Sequence, residues 1–239
     1  MGVRQVCSIL LKSLALSVCG LSLLAVQPAE AVLIYSNDFQ GLSAAGSEWS
    51  KTTISTIGSR TFLGPFANVN QWGTTTLTLT DLPVHTHILL SFDLFVIASW
   101  DGNNTSTGPD RFQLGIAGGP TLLDTTFSNR SPAQSFCGAD AAGNYITGSC
   151  SRYTGAIGTN VLGSAVDGDS LYHLSFDFVH SGPSLVLNFS SLVSGSDETF
   201  GLDNVRLENP SVATPEPATL LLLGSGLAGL GLCRRRMRR

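Results

Sequence analysis

Short runs of alternating apolar and polar residues fill the middle of the chain, over a predicted domain at 32–209. Leu, Val, Phe and Thr dominate these runs, and Gly, Pro, Asn and Asp separate them, which is typical of β-strands and turns. No part of this region repeats its apolar residues with the period of a helix. About nine strands without helices predict an all-β antiparallel β-sandwich, or jelly roll. The predicted strands are 32–39, 60–66, 74–82, 87–99, 110–118, 122–128, 171–181, 184–192 and 198–208.

The segment 129–170 is rich in glycine and serine and is predicted to form a long, elaborated loop. It holds Cys137 and Cys150, the only cysteines between residues 32 and 214. In an oxidising compartment such a pair most simply forms one disulfide, and two free thiols are the alternative. The disulfide would close a loop of roughly 14 residues, which corresponds to about 3 kcal/mol of stability.

Two predicted strands contain the same sequence, Leu-Ser-Phe-Asp, at 90–93 and 174–177. Side chains alternate between the two faces of a strand, so Phe and Leu should point into the core and Ser and Asp outwards. Asp93 and Asp177 are therefore candidate ligand-binding residues, and ordinary solvent-facing carboxylates are the alternative. The same alternation assigns Phe92, Leu94, Phe176 and Phe178 to the core, and Ser91, His173 and Ser175 to the outer or concave face.

The three tryptophans and two neighbouring histidines offer further candidates. Trp100 lies between a strand and a polar loop, so it could either stack on a sugar ring or fill the core. For Trp49 and Trp72, burial in the core is favoured. His85 and His87 share one strand face and could ligate a metal, but the sequence places no third ligand nearby. Exposed strand histidines are therefore favoured.

The N-terminus has the pattern of a signal peptide. Two positive charges accompany a Leu-rich stretch at 13–26, and Ala29 and Ala31 form an Ala-x-Ala cleavage site around Glu30. Segment 1–31 is therefore predicted to be removed on export, and an uncleaved membrane anchor is the alternative.

The C-terminus combines a short proline-rich linker at 210–217 with a hydrophobic segment at 218–239. Residues 218–232 carry no charge, and as a helix they would span roughly 23 Å at about 1.5 Å per residue. A transmembrane helix is predicted here, because snorkelling cations can make up the missing length. The stop-transfer residues, expected on the cytoplasmic side, are Arg234, Arg235 and Arg236.

The order Thr-Pro-Glu-Pro, apolar run and Arg cluster, from Thr214 onwards, resembles the PEP-CTERM sorting signal of Gram-negative bacteria. That resemblance implies recognition by exosortase, a membrane cysteine transpeptidase, through Pro215, Glu216 and Pro217. It also implies export, anchoring in the inner membrane through the helix, and delivery to the cell surface or extracellular matrix after the helix is removed. A permanent C-terminal anchor is the alternative.

The charge of the body argues against one class of partner. Between residues 32 and 214 there are six Lys and Arg and fifteen Asp and Glu side chains, a formal net charge of −9. A body of this charge repels nucleic acid and anionic lipid and offers no basic patch for a phosphate backbone. Nucleic acid is therefore not expected as a partner.

Four body segments carry short motifs: DFQG at 38–41, SFDLFVIASWDG at 91–102, DTTFSN at 124–129 and GLDNVRLEN at 201–209. Together they resemble exported jelly-roll modules of the lectin or carbohydrate-binding type. In several such modules an acid of the opening strand and the Asp of the closing strand hold a structural calcium, which implies Asp38 and Asp203. Two ordinary strand-end carboxylates are the alternative. Loop 101–110 is also rich in oxygen ligands but lacks the spacing of an EF-hand, so calcium is not expected there.

These features predict an exported, non-enzymatic module that binds exopolysaccharide or another glycan. A purely structural surface protein without a ligand is the second hypothesis. A glycan hydrolase is the third, since Asp93 and Asp177 could meet on adjacent strands and such enzymes need two carboxyl groups about 5–10 Å apart. The body contains no nucleophile elbow, Walker loop or dinucleotide-binding motif.

Overall fold

The computed structural model describes residues 31–40, 45–130, 132–163 and 168–210, together with the single positions 224, 226 and 234. The chain divides into two compact units, one at 31–210 and one made of the two terminal segments. The predicted signal peptide, the Pro-Glu-Pro motif and most of the predicted C-terminal helix lie outside the described residues. The three described C-terminal positions are helical and exposed. No helix within the described part of the chain is long and apolar enough to cross a membrane.

Strands make up nearly all the regular structure of the described body, as the alternating pattern predicts. They are β1 Val32–Asn37, β2 Ile54–Ile57, β3 Arg60–Phe66, β4 Trp72–Leu79, β5 His87–Ile97, β6 Arg111–Ile116, β7 Thr121–Thr126, β8 Gln134–Ala139, β9 Tyr145–Cys150, β10 Gly158–Thr159, β11 Asp169–Val179, β12 Leu185–Leu192 and β13 Thr199–Asn209.

Two antiparallel sheets form the β-sandwich. The large sheet has the order β10-β11-β5-β13-β3-β2, with β1 paired to β13, and the small sheet has the order β4-β12-β6-β7. All the strand pairs in both sheets are antiparallel. The predicted fold class is therefore confirmed.

Phenylalanine side chains from both sheets meet in the core. Phe92 of the large sheet has its ring centre 5.2 Å from that of Phe189 in the small sheet, edge to face. Phe112 of the small sheet packs in the same way on Phe200 of the large sheet, at 5.4 Å. All four side chains are fully buried, and burial of one such side chain stabilises the fold by about 1.5–3 kcal/mol. The alternation of the sequence thus fixes which face of each sheet points outwards.

The segment 129–170 is not the long loop that its composition predicts. It contains the hairpin of β8 and β9 and the short strand β10, and the predicted disulfide joins Cys137 to Cys150 across the hairpin with a Cα–Cα distance of 5.5 Å. Phe136 attaches the hairpin to the core, with its ring centre 5.0 Å from that of Phe127. The prediction was wrong because glycines and an irregular register hide the alternation, while Phe136 and the contacts of Tyr145 with Phe176 and Ser175 hold the hairpin against the body.

Candidate functional site

The outer face of the large sheet carries the polar residues that the sequence places there. Along β11, His173, Ser175 and Asp177 are exposed and the intervening residues, such as Phe176, are buried. His173 Nδ1 lies 2.7 Å from Asp93 Oδ1 on the adjacent strand β5. The predicted orientation of both Leu-Ser-Phe-Asp strands is therefore confirmed.

The two candidate carboxylates of this face already bind other side chains of the protein. The second oxygen of Asp93 accepts a hydrogen bond from Asn204 Nδ2 at 2.8 Å, in addition to its contact with His173. Asp177 Oδ1 lies 3.1 Å from His87 Nδ1. Each carboxylate is thus held by the sheet, and both oxygens of Asp93 already have a partner within the protein.

The spacing of Asp93 and Asp177 argues against a role as a catalytic pair. In the antiparallel register Asp93 lies opposite His173, and Asp177 lies opposite Leu89. The two positions are therefore four residues apart along the strands, or about 13 Å at about 3.3 Å per residue. Glycosidases place their two carboxyl groups about 5–10 Å apart. This spacing disfavours a hydrolase that uses these two residues as its catalytic pair, and the hydrolase hypothesis stays a prediction that the structure does not test directly.

Trp100 and Trp72 exchange the roles that the sequence suggests for them. Trp100 is fully buried, and its Nε1 donates a hydrogen bond to the carbonyl oxygen of Thr199 at 3.0 Å. It fills the core just beyond the end of β5, so it is not a ligand-stacking residue. Trp72 is 40% exposed, because it is the first residue of β4 and shares the outward parity of Thr74 and Thr76.

Trp72 belongs to a continuous outer surface on the small sheet, which we call the small-sheet face. In the strand register Thr74, Ser190, Gln113 and Asp124 lie side by side across the four strands. A parallel row begins with Thr76 and Asn188 and continues through Gly115. The small-sheet face comprises Trp72, Thr74, Thr76, Arg111, Gln113, Gly115, Asp124, Asn188 and Ser190.

Hydroxyl and amide groups cover most of the small-sheet face. Thr74 Oγ1 and Ser190 Oγ are 2.8 Å apart, and Thr76 Oγ1 donates to Asn188 Oδ1 at 3.3 Å. Thr74, Asn188 and Ser190, together with Trp72, line an open groove of about 370 Å³. The groove therefore combines a flat aromatic ring with groups that can each form further hydrogen bonds.

Arg111 connects Trp72 to Asp124 at the edge of the groove. The guanidinium carbon of Arg111 lies 5.6 Å from the ring centre of Trp72, within the range of a cation–π interaction. Its Nε donates to Asp124 Oδ1 at 3.2 Å and its Nη2 to Asp124 Oδ2 at 2.5 Å. The bidentate pair fixes the guanidinium plane, supports the indole ring and neutralises both charges locally.

A group of three carboxylates lies apart from both faces. The ligand oxygens of Asp101, Asp110 and Glu198 all lie within 4.8 Å of one another, and the side chains of Asp110 and Glu198 are buried. Burial raises the pKa of Glu198 to about 7 and also raises the pKa of Asp110. Their partners include the backbone N–H groups of Ser194 and Gly195. Hard oxygen ligands of this kind suit Ca²⁺.

Asp38 and Asp203, the predicted calcium ligands, lie near enough for the charge of Asp38 to act on Asp203. Asp203 lies where the register between β13 and β5 shifts, and Asp38 directly follows β1. Burial raises the pKa of Asp203 to about 6, and the negative charges of Asp93 and Asp38 raise it further. Within the described residues, neither carboxylate belongs to a group of three metal-ligating side chains. A calcium ion at this position stays a prediction.

His85 does not share a site with His87. His85 is buried, contrary to the expectation of an exposed strand histidine. Its Nδ1 lies 2.5 Å from the carbonyl oxygen of Pro83 and its Nε2 lies 2.7 Å from His180 Nδ1. The two imidazole rings stack with their centres 5.0 Å apart, so the pair forms a structural contact between the ends of two strands.

The C-terminal segment matches a known family model, the PEP-CTERM protein-sorting motif, over residues 213–236. The chain carries a PEP-CTERM sorting motif. A chain with this motif is exported and is held in the membrane before it is processed, so the predicted sorting signal is confirmed. Its residues lie almost entirely outside the described part of the structure.

Among curated proteins, none matches the chain in sequence. Solved structures similar to the body of this PEP-CTERM protein include the CBM22-1 xylan-binding domain of Xyn10C from Paenibacillus barcinonensis, at 11% identity and a TM-score of 0.37, covering 78% of this chain and 100% of that domain. A family 35 carbohydrate-binding module from Clostridium thermocellum is similar at 12% identity and a TM-score of 0.34, covering 75% of this chain and 98% of that module. A CBM28 module specific for non-crystalline cellulose is similar at 15% identity and a TM-score of 0.36, covering 75% of this chain and 95% of that module. At such low TM-scores, the function has to be inferred from the residues of this chain.

Proposed function

We propose that this exported protein is a non-catalytic glycan-binding module that holds a polysaccharide on its small-sheet face. The observation that carries the proposal is the half-exposed ring of Trp72 beside a surface of hydroxyl and amide groups. Sugar rings present apolar C–H faces bordered by hydroxyl groups, so they match a surface that joins an aromatic ring to hydrogen-bonding side chains.

The small-sheet face has hydrogen-bonding groups that the fold does not use. Asn188 accepts from Thr76 through Oδ1, and no described residue accepts a hydrogen bond from its Nδ2. Gln113 donates from Nε2 to Asp124 at 3.3 Å, which leaves Oε1 as an acceptor. These groups lie on adjacent strands in neighbouring rows, so they can bind successive hydroxyl groups of one glycan chain.

The PEP-CTERM motif supports the route by which the module reaches its ligand. Exosortase would recognise Pro215, Glu216 and Pro217 while the segment 218–232 anchors the protein in the inner membrane. Removal of the segment would then release the β-sandwich to the cell surface or extracellular matrix. Exopolysaccharide is the polymer that the module would meet there.

Tryptophan fluorescence tests glycan binding directly, because the protein has three tryptophans and those at positions 49 and 100 are buried. The full chain is titrated with soluble β-glucan, xylan, galactomannan and dextran in a detergent without a sugar headgroup, since a glycoside detergent would compete. We expect at least one polymer to shift the Trp72 emission to shorter wavelength and to protect it from acrylamide. If no polymer, including the producer's own exopolysaccharide, changes emission or migration in affinity gels, the ligand-free structural role is correct instead.

A structural calcium ion between Asp101, Asp110 and Glu198 is part of the proposal. Placing three carboxylates together, two of them buried, is unfavourable unless a cation or protons compensate their charge, and within the described residues no Lys or Arg forms an ion pair with them. We expect 1 mM CaCl₂ to raise Tm by several degrees relative to a chelator at pH 7.5. Glu198→Gln should abolish that increase, whereas Asp140→Asn on the exposed hairpin should leave it intact. An equal calcium response in both variants would contradict this site.

A further inference from the structure

The charges of the small-sheet face indicate which class of glycan it accepts. We propose that the face binds uncharged glycans and rejects polymers that carry carboxylate or sulfate groups. This inference rests on the proposed function and adds the chemical class of the ligand. It is carried by the geometry of Arg111, by the composition of the face and by the charge of the surrounding body.

Arg111 is the only cation of the small-sheet face, and it is already paired. One edge of its guanidinium donates to both oxygens of Asp124, and its plane packs on Trp72. An anionic sugar is recognised by a cation whose fork of N–H groups is free to bind its carboxylate. The other edge of the guanidinium keeps three N–H donors, but Asp124 already compensates its charge, so a carboxylate that binds there gains much less electrostatic attraction than it would from an unpaired arginine.

The other polar members of the face are uncharged and suit neutral hydroxyl groups. Thr74 and Thr76 contribute hydroxyl groups and Gln113 and Asn188 contribute amides, while the buried hydroxyl of Ser190 is bonded to Thr74. Each of these groups can donate one hydrogen bond and accept another, which is also the capacity of a sugar hydroxyl. None of them can compensate the charge of a carboxylate that loses its water on binding.

The rest of the body adds a repulsive field. Residues 32–214 carry a formal net charge of −9, and their five other Lys and Arg side chains do not belong to the face. At physiological ionic strength the field decays over about 8 Å, so a single bound sugar feels it weakly. A polyanion presents many charges within that distance along the protein surface and is repelled at every one of them.

The test compares neutral polymers with their charged derivatives. Mixed-linkage β-glucan and galactomannan are oxidised at C6 to convert about half of their primary alcohols to carboxylates, and each pair is titrated against the full chain by Trp72 fluorescence. In 20 mM NaCl we expect the carboxylated form of any bound polymer to bind at least 10-fold more weakly than the parent. In 500 mM NaCl the difference should decrease, because salt screens the repulsion.

Two variants separate the effect of the Arg111–Asp124 pair from the effect of the body's net charge. Asp124→Asn frees Arg111 and should reduce the preference for the neutral polymer by at least 3-fold. Asp177→Asn, on the opposite face, removes the same charge and should leave the preference unchanged. Carboxylated polymer bound as tightly as its neutral parent would overturn the inference while the proposed function stands. If neither form binds, the proposed function fails and the inference fails with it.

Discussion

The two outer faces of the sandwich are both polar, yet they differ in how their polar groups are used. On the large-sheet face, Asp93 binds His173 and Asn204, and Asp177 binds His87. These contacts join neighbouring strands to one another, and the only tyrosine ring beside them among the described residues, that of Tyr145, is partly buried with its hydroxyl group bonded to the backbone of Ser175. On the small-sheet face, Trp72 is 40% exposed and lies beside hydroxyl and amide groups with unused hydrogen-bonding capacity.

The comparison shows that charge alone is a poor guide to a binding surface. The large-sheet face holds the more conspicuous residues, two aspartates and two histidines, but their partners are inside the protein. A ligand that replaces those contacts gains little, because the net gain from exchanging one hydrogen bond for another is small. The small-sheet face offers Asn188 Nδ2 and Gln113 Oε1, which have no hydrogen-bond partner among the described residues, so a glycan can bind them without breaking the sheet's own contacts.

Trp72→Ala is expected to have the largest effect on glycan binding, and it is therefore the strongest test of the difference between the two faces. Removing the indole should weaken glycan binding by at least about 30-fold, or about 2 kcal/mol, as is common for a central Trp of a binding surface. Affinity gel electrophoresis measures the change, because the variant has lost its fluorescent reporter.

The controls for this variant are Trp72→Phe and Ile157→Ala. Trp72→Phe retains an aromatic ring and should preserve part of the affinity. Ile157→Ala removes an exposed apolar side chain away from the small-sheet face and should change nothing. Full binding by Trp72→Ala, with unchanged far-UV circular dichroism, would show that the small-sheet face is not the site.

The fold could be predicted from the sequence to a large extent, because each core strand places its apolar residues at alternate positions. Strand β11 is an example: its buried residues Leu174, Phe176 and Phe178 alternate with exposed polar ones. Alternation says which way a side chain points but not how strands are paired. The spacing of Asp93 and Asp177 depends on the register between β5 and β11, which no local pattern specifies.

The outward position of Trp72 on the proposed binding face could have been recognised from the same alternation. Trp72 shares its parity with Thr74, Thr76 and Thr78, whereas Leu77 has the opposite parity and is buried. The general tendency of Trp towards burial hid this signal. The cluster of Asp101, Asp110 and Glu198 could not be predicted in this way, because Glu198 comes from a turn that the fold alone brings next to loop 101–110.

Asn188→Ala should have the second largest effect on glycan binding. The variant removes the free Nδ2 donor from the middle of the groove, and the loss of one hydrogen bond of about 1 kcal/mol corresponds to about a 5-fold weaker affinity. Isothermal titration calorimetry with the bound polymer's oligosaccharides measures it. Asn204→Ala is the matched control, since Asn204 Nδ2 binds Asp93 on the opposite face. Equal losses in both variants would remove the distinction between the faces.

Asp177→Asn should leave glycan affinity within twofold of the wild-type value. The carboxylate binds only His87 among the described residues, through an exposed contact, and such surface pairs contribute about 0–1 kcal/mol to stability. Glycan titration and thermal unfolding of the same preparation measure both quantities. A loss of affinity above 10-fold with unchanged Tm would move the binding site to the large-sheet face.

Acidification should produce the smallest effect and should act on stability rather than on binding. Burial lowers the pKa of His180, and the neighbouring His85 lowers it further. The unfolded chain therefore takes up the proton of His180 at a higher pH than the folded protein does, so stability falls as the pH drops through the ordinary histidine pKa of about 6.5. Between pH 7.5 and 5.5 we expect His180 to lower Tm by about 2 °C, and His180→Gln should remove that contribution.

Glycan affinity should stay constant over this range, because the small-sheet face contains no histidine. Affinity that falls together with Tm in the wild type, but not in His180→Gln, would mean that the two sheets are coupled and that the two faces cannot be treated as independent surfaces.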